Sequence, residues 1–139
     1  MKYQVQMTVH KDRKTVTESY INRADMLKWE KGLNRIEDTK GILFEENSEG
    51  FLVFKFNDQE MKMKVTVEEI KTPELMTMIY ELPGAWNRCV NQFKEINGNT
   101  IWTMDVTFIF ENEMDVPLVR FIEKTEQGMK MFKDFVEGI

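Results

Sequence analysis

The chain changes hydrophobic period three times. At the start Tyr3, Val5, Met7 and Val9 alternate with Lys2, Gln4, Gln6 and Thr8, the period-two signature of a half-buried strand. Asp12 then offers an N-cap, and Val16 and Tyr20 form an i,i+4 apolar pair on a short helix. A second short helix follows over Ala24 to Trp29, with Met26, Leu27 and Trp29 as its apolar face and Gly32 closing it in left-handed conformation. From Leu33 to Phe110 the period returns to two, with strands predicted over 33–39, 42–46, 51–57, 60–70, 75–82, 86–96 and 100–110.

The links between these strands are turn sequences. Asn47-Ser48-Glu49-Gly50 and Asn57-Asp58-Gln59-Glu60 are polar clusters, Lys71-Thr72-Pro73-Glu74 holds a φ-fixing proline, and Asn97-Gly98 has two residues that tolerate the positive φ of a tight hairpin. Successive hairpins imply an antiparallel meander, because parallel strands need long crossovers. Met61, Met63, Val65 and Val67 mark the covered face of one strand; Trp102, Met104, Val106, Phe108 and Phe110 mark that of another. After Asp115, a potential cap, the period changes again. Leu118, Ile122, Thr125, Met129, Phe132, Val136 and Ile139 step by four and three, and Phe121, Gly128 and Phe135 widen the stripe. The middle of that face is small. Gly128 costs about 1 kcal/mol of helix propensity relative to Ala, offset either by close backbone packing or by space left for a ligand.

These elements predict an α+β chain: a curved antiparallel sheet of about seven strands on a long C-terminal helix, with two short helices after the first strand. The 139 residues carry no linker, low-complexity tract or repeat, so 1–139 is expected to form a single domain. Composition chiefly narrows the chemistry. The net charge of −5 and pI of about 5.0 disfavour nucleic-acid partners, which need a basic patch. One cysteine, Cys89, cannot form an internal disulfide, and one histidine, His10, excludes a site built on two imidazoles or on a Cys/His zinc cluster. No metal site or cofactor is predicted. MKYQVQMTVH has no apolar signal core, and no stretch approaches the roughly 18 apolar residues of a membrane span, so a cytoplasmic location without integral membrane association is expected.

Val16-Thr17-Glu18-Ser19-Tyr20-Ile21, then Asp25-Met26-Leu27-Lys28-Trp29 and Gly32, and later Asn97-Gly98-Asn99-Thr100-Ile101-Trp102-Thr103-Met104, resemble segments of the START-like superfamily. This group includes Bet v 1-like, polyketide cyclase/dehydrase-like and Hsp90-activator-like proteins. The order of elements over the whole chain resembles it too. The resemblance implies a helix-grip fold, with an apolar cavity between sheet and helix that holds a small hydrophobic molecule or lipid.

Eleven methionines fit such a cavity, because Met adapts to several shapes. The expected lining is Trp29, Met61, Met63, Trp102, Met104, Phe108, Gly128 and Phe132, the same side chains that would otherwise fill an ordinary core. Tyr80, Arg88, Asn91 and Asp105 are the polar groups available to orient a ligand; Arg88 and Asn91 lie on opposite faces of their strand, and Asp105 lies opposite Trp102 and Met104. Leu82-Pro83-Gly84-Ala85-Trp86 is expected to form a rim. No catalytic constellation is present: His10 is in phase with polar residues and Cys89 is flanked by apolar ones. Hydrophobic-ligand binding is therefore the leading expectation. A cyclase/dehydratase-type enzyme using Tyr80 and Arg88 is one alternative, requiring a desolvated polar pair in the cavity. A protein-interaction module, using the first strand's edge or a rim around Trp86, is the other.

Overall fold

The computed structural model describes residues 1–139. Strand β1 (Lys2–Val9) buries Val5 and Val9 and exposes the intervening polar residues, as alternation requires. Helix α1 (Arg13–Tyr20) begins at Asp12, whose carboxylate accepts from the Thr15 amide at 3.1 Å and the Thr15 hydroxyl at 2.7 Å. It buries Val16 and Tyr20. Helix α2 (Arg23–Trp29) is capped by Asn22, whose side chain accepts from the Asp25 amide at 2.9 Å. Of its predicted apolar face, Met26 is buried but Leu27 points outward. Gly32 turns the chain at φ +82°, where a Cβ would collide with the Phe56 ring.

These two helices carry the chain from one edge of the sheet to the other. Strands β2 (Leu33–Lys40), β3 (Glu49–Phe56), β4 (Gln59–Lys71), β5 (Leu75–Leu82), β6 (Ala85–Ile96) and β7 (Asn99–Phe110) then return as a meander. The sheet order is β1-β7-β6-β5-β4-β3-β2, every pair antiparallel. Asn97 (φ 52°) and Gly98 (φ 78°) make the β6–β7 turn. Segment 42–46, expected as a strand, is a turn. Leu43 and Phe44 are both buried, which adjacent strand residues on a one-sided sheet cannot be. Phe44 takes φ 82°; the Leu43 amide donates to Asp38 Oδ1 at 2.8 Å and the Phe44 amide to Ser48 Oγ at 3.1 Å.

Helix α3 (Leu118–Glu137) lies across the concave face. Asp115 does not cap it, contrary to expectation. Pro117 is the N-cap, and a residue before proline is driven to extended backbone, so the helix cannot begin sooner. Leu118 and Ile139, the ends of the predicted stripe, are 44% and 63% exposed; Met129, Phe132 and Val136 are buried. Around Phe132 stand Tyr20, Trp29 and Trp102, with ring centroids 5.0, 5.2 and 5.6 Å away. No helix is long and apolar enough to cross a membrane.

Candidate functional site

The helix does not fill the sheet evenly. Beneath its middle lies an inner cavity of about 220 Å³, and toward its N-terminus an outer cavity of about 450 Å³. Met63, Tyr80, Asn87 and Thr125 line both, so the two adjoin. Gly128 leaves the roof open: a Cβ placed there meets no atom within 4 Å. That observation decides between the two explanations for a glycine in this helix in favour of open space. Thr125 beside it is held by a 2.7 Å hydrogen bond between its hydroxyl and that of Tyr3, which also donates to the Phe121 carbonyl at 3.3 Å.

Thirteen of the 17 residues around the inner cavity are hydrophobic, so its wall favours an apolar ligand body. The polar atoms of this wall cluster. Burial holds the Tyr20 and Tyr80 hydroxyls well above their ordinary pKa, and each lies near the other and near Cys89 and Glu30. Both therefore remain protonated donors at neutral pH. Burial also pushes the Cys89 thiol up to about 12, leaving it an inert thiol. The Glu30 carboxyl, at the end of α2, is raised by loss of hydration. Trp29 Nε1 is buried with no hydrogen-bond partner. Trp102 differs: its Nε1 donates to Asn91 Oδ1 at 2.9 Å, and the Asn91 amide donates to the Met76 carbonyl at 3.3 Å.

Trp29, Met63, Tyr80, Trp102, Met104 and Gly128 thus come together around the inner cavity. Phe108 lines the outer one, with Phe110, Phe121 and Lys124. Met61 and Phe132 line neither. Met61 is 38% exposed near the start of β4, and Phe132 is fully buried in the aromatic cluster. Among the polar candidates, Asn91 is used up in holding Trp102, Arg88 pairs with Glu68 at 2.9 Å on the outer face, and Asp105 accepts from Gln4 at 2.8 Å there. His10 is exposed. Leu82 and Ala85 of the expected rim border the outer cavity, as does Met114. Met114, Val116, Leu118 and Val119, on the approach to α3 and its first turn, are exposed.

Tyr20, Glu30 and Asn87 were not singled out from sequence, although spacing contained a signal for two of them. Glu30, the C-cap of α2, follows the buried Met26 at i+4, the spacing of one helix face. Asn87 shares strand parity with Cys89 and Asn91.

No family model matches the chain, and no curated protein matches it in sequence. Solved structures match its fold over nearly its whole length. Ara h 8.0201 gives a TM-score of 0.81 at 12% identity, covering 99% of this chain and 95% of that one. A putative uncharacterized protein from Rhizobium leguminosarum gives 0.79 at 12% identity, covering 100% and 95%. A protein from Chromobacterium violaceum gives 0.78 at 10% identity, covering 98% and 96%. At these identities the likeness is one of fold, and the fold is the Bet v 1-like, START-like helix grip.

Proposed function

We propose that the protein binds a small hydrophobic molecule or lipid in the cavity between its sheet and α3. One observation carries this reading: Gly128 sits in the roof of an apolar cavity with nothing within contact distance of its missing side chain. An alanine there would strengthen the helix, and a larger residue would fill the void, so the glycine is a costly choice for stability alone. A ligand that supplies the missing contacts accounts for it. The 13 hydrophobic wall residues set the ligand's body as apolar, and the tyrosine hydroxyls with Glu30 and Asn87 set at least one polar group on it.

The test compares native and denatured mass spectra of the purified protein, followed by a thermal-shift panel of lipids and aromatic metabolites. A discrete adduct lost on denaturation, or a shift equivalent to roughly 2.7 kcal/mol at a hundredfold the dissociation constant, is expected. Gly128→Leu, which places four carbons into the void, should abolish either signal while the variant stays folded. Binding that survives Gly128→Leu unchanged would refute the site.

A second reading, acid–base chemistry of the cyclase/dehydratase type, draws on the same polar cluster. Its actor would be Glu30, with the protonated Tyr20 and Tyr80 as hydrogen-bond donors, and not the outward-facing Arg88. Recovery of the bound compound unchanged after prolonged incubation supports binding alone; a dehydrated or cyclised product supports the enzyme.

A further inference from the structure

The wall of the inner cavity has one charged group and no counter-charge. Glu30 lines it, and no Lys, Arg or His does. Some carboxylates elsewhere are paired, Glu37 with Arg35 and Lys62 at 3.0 Å each, Glu60 with Arg35 at 2.7 Å and Glu68 with Arg88 at 2.9 Å, all partly exposed. At Glu30, half-buried at the cavity wall, the side chain receives neither an ion pair nor a hydrogen bond from the protein, and partial loss of hydration raises its pKa. A cation that pairs with it in the cavity would have to come from outside the chain.

A further feature fits a cation. The rings of Tyr20, Trp29, Tyr80 and Trp102 line the same cavity, and aromatic faces attract ammonium groups. Tyr20 and Trp29 stack with centroids 6.0 Å apart, which stiffens that wall. The Trp29 Nε1–H is buried with no hydrogen-bond partner and, being a donor, adds nothing for an ammonium. Resting on the hydrophobic-ligand reading above, we propose that the inner cavity selects amines. The ligand's ammonium sits against Glu30 among the aromatic rings, and its apolar body extends past Met63 and Thr125 toward the outer cavity. A carboxylate ligand is disfavoured in the inner cavity and meets its only basic group at Lys124, on the wall of the outer one.

The test is isothermal titration at pH 7 with two sets of compounds that share a body and differ in the head group. One set is octylamine, 1-octanol and octanoate; the other is tryptamine, tryptophol and indole-3-propionate. In the wild-type protein at least one amine should bind about tenfold or more tighter than its alcohol and its acid. In Glu30→Gln that preference should vanish, the amine's affinity falling about tenfold or more toward that of its alcohol. Because the Glu30 side chain makes no hydrogen bond or ion pair, the variant is expected to fold, and a thermal melt checks this. An alcohol or acid that binds as tightly as its amine, or an amine preference that survives Glu30→Gln, overturns the proposal. So does the failure of all six compounds. The native-mass and Gly128→Leu experiments decide separately whether the cavity binds anything, so amine selection can fail while the pocket stands.

Discussion

Over its C-terminal half, α3 buries Met129, Phe132 and Val136 against α1, α2 and the sheet; over its N-terminal half, Phe121, Thr125 and Gly128 stand above two cavities. The apolar stripe runs through both halves with the same spacing. The difference lies in what each half presents and what faces it. The packed half offers large side chains to an aromatic cluster centred on Phe132. The open half offers a glycine and a threonine, the latter tied sideways to Tyr3, above inward residues of the sheet that do not reach across. One helix thus serves as a stabilising element at one end and as the roof of a binding site at the other.

The largest expected effect separates the halves directly. Phe132→Ala removes the centre of the aromatic cluster and should cost about 3–5 kcal/mol in urea denaturation. Phe121→Ala, at a half-buried position in the outer cavity's wall, should cost about 1 kcal/mol or less. Equal costs would mean that the two halves are packed alike and the cavities are closed in solution.

The two tryptophans on this wall give the next contrast. Asn91→Ala strips the Trp102 N–H of its acceptor in a fully buried place and should cost about 1–3 kcal/mol. Trp29→Phe removes an N–H that has no partner and should cost less than about 1 kcal/mol. Thermal unfolding of both variants checks the pair. A large loss at Trp29 would show that its N–H is satisfied within the protein.

The same contrast explains what was legible in the sequence. Period-two alternation, the Asn97-Gly98 turn and the Asp12 cap act within a few residues or between neighbouring strands, and the structure keeps all of them. The small patch at Thr125 and Gly128 was legible for the same reason: a helix face with nothing on it is a local fact. Met61 shows where such reasoning ends. It is in phase with Val65 and Val67, yet phase does not say how far a strand runs past the helix that covers it, and Met61 lies beyond that cover. Leu43 and Phe44 look like strand residues by composition, and their turn is set by side-chain acceptors four and five residues away, Ser48 and Asp38, that no period records. Glu30 is charged, yet its helix spacing matches the buried Met26; a charge on an apolar face is itself the informative feature.

Gly128→Ala carries the smallest effect and the sharpest sign. In a helix interior, alanine is favoured over glycine by about 1 kcal/mol, through lower backbone entropy in the unfolded chain. That gain appears only if the added methyl meets no obstacle, and here its nearest neighbour is more than 4 Å away. The ligand-free variant should therefore be more stable than the wild type by about 1 kcal/mol, or about 3–5 °C in Tm for a chain of this size. The methyl also enters the cavity, so affinity for a ligand seated under Gly128 should fall while stability rises. These opposite signs distinguish the two ways a glycine can be needed. A glycine required for close helix–sheet contact would lose stability on gaining a methyl. A glycine kept as the open roof of a site gains stability and loses binding.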